Sequence, residues 1–165
     1  MNLAFAVVTV IPKDKFLQKK KTLPESTYLH QSGLSFIPAS PSLAEFQKTD
    51  LHKLSEVFEH LDDTADFVLI DAPSGLGYEL SQVLKNSDEA VIVVNPNLSS
   101  VVDALKTIEI AKSHNNIIAG VVLNMSHRGR NELKPEEVET ILGHSLIANI
   151  RRDRKIRKSL HKQGP

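Results

Sequence analysis

The sequence contains no cysteine among its 165 residues. Disulfide bonds, thiol nucleophiles and thiolate metal sites are therefore excluded, and a reducing, cytoplasmic environment is the expectation. The chain also lacks an excess of either charge, because 20 lysines and arginines balance 20 aspartates and glutamates. The molecule as a whole therefore gives no electrostatic reason to expect nucleic-acid or membrane binding.

Long hydrophobic runs are lacking as well. A membrane-spanning helix needs about 20 apolar residues, whereas the apolar run at 3–11 has nine and follows no basic segment. We therefore expect neither a membrane span nor a signal peptide. The length of 165 residues predicts a single domain over 1–165.

From residue 34 onward, β-like runs alternate with helical patterns, which is typical of a parallel sheet with crossover helices. A capping box at Ser100–Asp103 predicts a helix that ends near Ser113, and Pro135 predicts a shorter helix that ends at Gly143. Another helix is predicted to begin at Asp50. The predicted strands are short, mostly apolar and rich in β-branched residues, and they lie at 34–38, 67–70, 90–94, 117–123 and 145–150.

Two stretches carry uneven charge. Five lysines and one acid lie within 12–24, so we expect an exposed basic loop over 12–31. The tail at 151–165 holds seven basic residues and one acid, Asp153. We expect this tail to form a solvated helix or an arm outside the core, with binding to an anionic surface such as a membrane or DNA as the alternative.

The segment 66–77 joins an apolar strand to a carboxylate, Asp71, and a Pro/Gly turn. An acid at the carboxyl end of a buried strand lies where open α/β sheets bind ligands, and it can hold a water of a Mg²⁺ shell, as a Walker B acid does. Capping of the turn is the alternative role for Asp71. Glycine is scarce before this acid, since only Gly33 precedes it. A phosphate-binding loop of the Gly-x-x-x-x-Gly-Lys-Ser/Thr type is therefore absent before Asp71.

Several further segments follow this acid in a characteristic order. They are Asp-Ala-Pro-Ser-Gly-Leu-Gly at 71–77, the runs at 88–96 and 99–105, Gly-Val-Val-Leu-Asn at 120–124 and the helix pattern at 132–143, preceded by 32–40. Together they resemble the MinD/ParA family of deviant P-loop ATPases, especially its archaeal MinD-like branch. The resemblance covers about 32–165. It implies a three-layer α/β/α, P-loop NTPase-like fold that is incomplete, with a mostly parallel sheet.

Members of this family are dimeric ATPases that act as nucleotide-controlled switches in positioning the division site, DNA or other cargo. The resemblance thus implies ATP and Mg²⁺ as cofactors, a homodimer or an intact family member as partner, and a cytoplasmic location with peripheral membrane attachment as an alternative. Asp71 would have the inherited catalytic Walker B role and hold Mg²⁺ through water. The switch loop that senses the γ-phosphate would contain Pro73, Gly75 and Gly77.

The base would lie between two further positions. Asn124 would face the adenine, because an amide offers both a donor and an acceptor. The loop at 150–153, with Asp153, would close over the base from the other side. Arg151 and Arg152 depart from the family pattern there, which has a proline followed by acidic residues.

In the family, the phosphate loop precedes the point where this chain begins. The resemblance therefore leads us to expect an amino-terminally truncated form that does not hydrolyse ATP alone. The alternative is a non-hydrolysing module that docks on an intact relative or an anionic surface. In the family, the strand that precedes the phosphate loop lies between the Walker B strand and the strand that corresponds to 90–94. We expect its place in the sheet to be filled, either by residues 3–11 pairing with 67–70, or by 67–70 pairing directly with 90–94.

Overall fold

The computed structural model of the protein describes residues 28–31, 35–37, 55, 67–73, 75–127, 129, 132–153 and 155–156. These residues belong to two compact units. One contains the described residues from Asp88 onward together with Gly75 and Leu76, and the other contains those up to Pro73 together with Gly77–Ser87. Among the described residues, no helix has both the length and the apolar character needed to cross a membrane.

The described residues of the unit with the earlier residues include two short strands, the helical Ser55 and one complete helix. Strands β1 (Tyr28–Leu29) and β2 (Ser35–Phe36) pair antiparallel, and the rings of Tyr28 and Phe36 stack with their centroids 5.4 Å apart. Sequence reasoning places β1 in a basic loop, whereas the structure gives it a strand partner. Helix α1 (Tyr78–Lys85) follows, with Glu79 in its first turn and Lys85 in its last, as the helix dipole favours.

The unit with the later residues is a parallel α/β layer. Its strands β3 (Glu89–Val94), β4 (Ile117–Ser126) and β5 (Leu146–Arg151) form a sheet in that order, and all neighbours are parallel. Helix α2 (Leu98–Ser113) connects β3 to β4, and helix α3 (Pro135–Leu142) connects β4 to β5. The predicted strands at 90–94, 117–123 and 145–150 are thus confirmed, with boundaries that move by up to three residues.

The core of this unit lies between the sheet and its two helices. Helix α2 contacts β3 and β4, and α3 contacts α2 and β5, as expected when two right-handed crossovers place their helices on one face. Burying each apolar side chain of this core stabilises the fold by about 1.5–3 kcal/mol. The fully or almost fully buried apolar residues here include Ile92, Val94, Val101, Val121, Leu123, Val138 and Leu142.

The cap of α2 differs from the prediction. Asn97 is the N-cap, and its side-chain Oδ1 accepts the Ser100 N–H at 2.9 Å. Ser100 is therefore inside the helix, and its Oγ accepts the Asn95 N–H at 3.1 Å. Asp103 pairs with Lys106 at 3.3 Å instead of closing a capping box. Helix α3 does begin at Pro135, and Gly143 ends it in the left-handed conformation at φ 66°, as predicted.

The predicted strand at 67–70 is wrong. Residues 67–73 have no regular structure, and the Phe67 side chain is 75% exposed. A strand buried on both faces would cover these side chains, so the apolar run was misleading. Direct pairing of 67–70 with 90–94 is also wrong, since β4 is the only described strand that pairs with β3. The expectation for residues 3–11 and the basic tail beyond residue 156 lie outside the described residues. Of the predicted helix from Asp50, the structure describes only Ser55, which is helical.

Candidate functional site

Strands β3, β4 and β5 are parallel, so their carboxyl ends meet at one edge of the sheet. This is the edge at which open α/β sheets bind ligands. Polar residues follow or end each strand there. Asn95 comes directly after β3. Asn124 lies two residues before the end of β4, and Ser126 is its last residue. Arg151 ends β5, and Arg152 follows it.

Asn124 is half-buried near the end of β4. None of the side-chain hydrogen bonds found among the described residues involves its amide. A half-buried amide can bond to water while no ligand is present. An amide without a protein partner at a ligand-binding edge is suited to a ligand that supplies both an acceptor and a donor.

The loop after β4 is fixed to its neighbours. The Glu132 carboxylate accepts the His127 backbone N–H at 2.8 Å and also contacts the His127 Nδ1. The Leu133 N–H donates to the Pro96 carbonyl at 3.0 Å, which ties this loop to the one between β3 and α2. The described parts of the two loops that follow β3 and β4 are therefore bonded to each other.

The segment after β5 forms the other side of this edge. The Arg152 N–H donates to the Ser126 carbonyl at 3.0 Å, so the two strand ends are held together. Asp153 is exposed, and its Oδ1 accepts the Lys155 N–H at 2.7 Å. This carboxylate thus caps the helical residues 155–156, a structural task. The arginines that depart from the family pattern are exposed at the same edge.

The remaining predicted site residues have individual positions. Asp71 and Pro73 are exposed and outside any strand. Gly75 has φ +106° with open space around it, a conformation that L-residues rarely adopt. Gly77 is the N-cap of α1, with no side-chain cap. Asp71, Pro73 and Gly77 belong to one compact unit, whereas Gly75, Asn124 and Asp153 belong to the other.

Comparison with known proteins decides the family. The family model described as "ParA: NUBPL iron-transfer P-loop NTPase" matches residues 50–158. The chain belongs to the MinD/ParA family of P-loop NTPases. The resemblance noted from the sequence is therefore confirmed at the level of the family.

Individual relatives agree. An uncharacterized ATP-binding protein of Methanocaldococcus jannaschii is 30% identical over 147 residues, which are 89% of this chain and 56% of that protein. The septum site-determining protein MinD of Pyrococcus horikoshii, solved in complex with Mg-ADP, superposes with a TM-score of 0.81 at 27% identity, covering 93% of this chain and 66% of that chain. The MinC:MinD complex of Aquifex aeolicus shares the fold, with a TM-score of 0.71 at 24% identity over 84% of this chain and 57% of that chain.

These matches fix the fold as the α/β P-loop NTPase fold of MinD proteins. They also show that the chain spans about half the length of the curated relatives it matches. Members of the family bind ATP, and MinD has been solved with Mg-ADP and with MinC. ATP and Mg-ADP are thus associated with individual relatives of this chain.

The described part of the chain does not contain a metal cage made of protein ligands alone. Within that part, no group of three or more His, Asp or Glu side chains is placed to hold a metal ion. A Mg²⁺ ion bound through water needs only one carboxylate from this part of the chain, because Mg²⁺ keeps several waters and takes its other ligands from phosphates. Exposed Asp71 is compatible with that limited role.

Sequence reasoning missed three residues at the edge. Met125 has a left-handed backbone with φ +55°, and the Ser126 Oγ–H donates to the Asn149 Oδ1 at 2.5 Å. Ser126 and Asn149 lie 23 positions apart, so no local spacing could have paired them. The available signal was the pair of polar residues, Asn124 and Ser126, at the end of an otherwise apolar run.

Proposed function

We propose that the chain is the base-binding part of a MinD/ParA-type nucleotide switch, with the adenine of ATP or ADP bound at the carboxyl edge of β3, β4 and β5. The observation that carries this proposal is the half-buried amide of Asn124, which has no hydrogen-bond partner among the described residues. The membership of the chain in an ATP-binding family supports it.

The other site residues have subsidiary roles in this proposal. Asp71 holds a water of the Mg²⁺ shell, and the segment with Pro73, Gly75 and Gly77 responds to the γ-phosphate. The positive φ of Gly75 supports a loop that can change conformation, because glycine crosses φ regions at little cost. Asp153 holds the turn after β5 in shape beside the base. Bound Mg²⁺ neutralises phosphate charge and orients the phosphates.

In our proposal, this chain does not hydrolyse ATP alone. Phosphoryl transfer depends on positioning and electrostatic stabilisation of the phosphates, and the sequence has no Gly-Lys phosphate loop before Asp71. We propose that the chain works with a second copy or an intact family member, in positioning the division site, DNA or other cargo. Sedimentation with and without Mg·ADP tests the association.

Our proposal does not include iron transfer, which the description of the family model names. Iron–sulfur clusters are held chiefly by cysteine thiolates, and this sequence contains none. The cluster as cargo therefore has no thiolate ligand in these residues.

A second candidate function is docking on an anionic surface, in the manner of a non-hydrolysing module. The observation that favours it is the exposure of Arg151, Arg152 and Lys155 next to Ile150 and Ile156, which are 47% and 58% exposed. Cations beside exposed apolar side chains suit an acidic lipid surface. Co-sedimentation with acidic vesicles that disappears at high salt would support this function, and equal binding to neutral vesicles would exclude it.

Equilibrium binding of a fluorescent ADP analogue tests the principal proposal. We expect weak, adenine-selective binding. Asn124→Ala should reduce the affinity roughly tenfold, because it removes the amide that bonds to the base. Asn86→Ala is the matched control, because that amide donates to the Gln82 carbonyl in α1. Micromolar Mg·ATP affinity with phosphate release abolished by Asp71→Ala would contradict the non-hydrolysing part of the proposal. Unchanged binding in Asn124→Ala would contradict the base site.

A further inference from the structure

The carboxyl end of β4 contains one residue more than the adjacent part of β5. Leu123 is paired with Asn149, and the next pair joins Ser126 to Arg151. Strand β4 therefore advances three residues while β5 advances two. The extra residue is a β-bulge that falls on Asn124 and Met125. Bulges bend a strand, leave a residue unpaired and redirect its side chain, and they are frequent next to binding sites.

The conformation of this bulge needs support from its surroundings. Met125 has φ +55°, a region that residues other than glycine, asparagine and aspartate seldom occupy. Its side chain is 51% exposed, so packing of that side chain contributes little to holding it there. The support comes from the next residue, Ser126, which makes bonds with both its backbone and its side chain.

Two hydrogen bonds fix Ser126 to the segment beside it. Its carbonyl accepts the Arg152 N–H at 3.0 Å, and its hydroxyl donates to the Asn149 Oδ1 at 2.5 Å. Both partners belong to β5 or follow it directly. The end of β4 is thereby held against β5 on both sides of the bulge, with Asn124 between Leu123 and the fixed Ser126.

We propose that Ser126 and Asn149 are positioning residues that lock this bulge and so fix the direction of the Asn124 amide toward an adenine base. The inference rests on the proposed function of Asn124. An amide held at one position favours the base edge that matches its donor and acceptor, whereas a mobile amide accommodates several edges. The pair therefore sets base selectivity, and a nucleotide with guanine is the discriminating competitor.

The experiment uses the full chain, labelled with ¹⁵N, and four variants. Ser126→Ala and Asn149→Ala remove the side-chain bond, Ser126→Thr keeps the hydroxyl, and Thr140→Ala is the matched control, because the exposed Thr140 hydroxyl donates to the Glu136 carbonyl within α3. The first readout is the position of the Asn124 side-chain amide resonances without nucleotide. The second is the ratio of ADP to GDP affinity.

We expect Ser126→Ala and Asn149→Ala to shift the Asn124 resonances and to lower the ADP/GDP affinity ratio roughly threefold to tenfold. Ser126→Thr should keep both readouts at their wild-type values, and Thr140→Ala should change neither. If the Asn124 resonances stay in place in both alanine variants, the positioning role is refuted, whether or not nucleotide binds. If the wild-type chain binds neither ADP nor GDP, the proposed function fails, and the nucleotide-free resonances still decide the role of Ser126 and Asn149.

Discussion

Replacement of Gly120 by alanine should disrupt the contact between β4 and β5. A Cβ atom at this position would lie 2.3 Å from the Ile147 Cγ2 and 3.1 Å from its Cγ1, so Ile147 must move. Overpacking of this kind costs about 1–3 kcal/mol. Gly120 also has φ +156°, where a residue with a side chain is strained by a further amount on the order of 1 kcal/mol. We expect Gly120→Ala to lower the free energy of unfolding by about 3 kcal/mol.

Thermal and urea unfolding followed by circular dichroism measure this change, and a loss of that size lowers Tm by roughly 6–12 °C in a chain of this length. The double variant Gly120→Ala/Ile147→Ala should recover the steric part of the loss, because the clashing methyl is gone. Gly143→Ala is the control, with φ +66° and no atom within 4 Å of the added Cβ, and it should cost only about 1 kcal/mol. A Gly120→Ala protein as stable as the wild type, or a double variant no better than the single one, would refute the predicted contact.

Three further predictions concern the helices and a histidine. Asn97→Ala should lower the free energy of unfolding by about 1 kcal/mol, since the Ser100 N–H loses its acceptor. Asp103→Ala should lower it by under about 0.5 kcal/mol, because its ion pair is exposed. Equal losses in urea unfolding would contradict Asn97 as the cap and favour the capping box at Ser100–Asp103. Leu142→Ala should cost about 2–5 kcal/mol and Ile141→Ala far less, because Leu142 is 4% and Ile141 36% exposed; similar losses would contradict the placement of α3. Burial, followed by the charge of a nearby lysine, lowers the pKa of His144 below its ordinary 6.5. The unfolded chain therefore takes up this proton first, and stability should fall as pH drops from 6.5 toward the folded pKa; an NMR titration midpoint at or above 6.5, or an unchanged pH profile in His144→Asn, would contradict this.

The parallel α/β layer could be predicted because its signals are local. The apolar runs at 90–94 and 117–123 and the Pro135/Gly143 punctuation each specify one element, and the structure contains all of them. Helix α1 was not predicted, although Leu80 and Leu84 are spaced for one buried face. Its N-cap is Gly77 with no side-chain acceptor, so the usual start signal was missing.

The failures have different physical causes. The run at 67–70 is apolar enough for a strand, yet strand formation depends on a neighbour that supplies backbone partners, and the sequence of the run does not specify one. The Ser100–Asp103 capping box failed because Asn97 offers a competing acceptor three residues earlier. Asn124 was predicted from the family resemblance, whereas its bulge and the Ser126–Asn149 bond depend on the pairing of β4 with β5.

The central claim is that adenine binds at the carboxyl edge beside Asn124. The most direct test is a titration of the ¹⁵N-labelled chain with Mg·ADP and, in parallel, with Mg·UDP, following the Asn124 side-chain amide resonances. We predict a saturable shift of these resonances with ADP, a much smaller one with UDP, and accompanying shifts at Asn95 and Asp153 on the same edge. Equal shifts with both nucleotides, or ADP-dependent shifts that leave Asn124 unchanged, would contradict the claim.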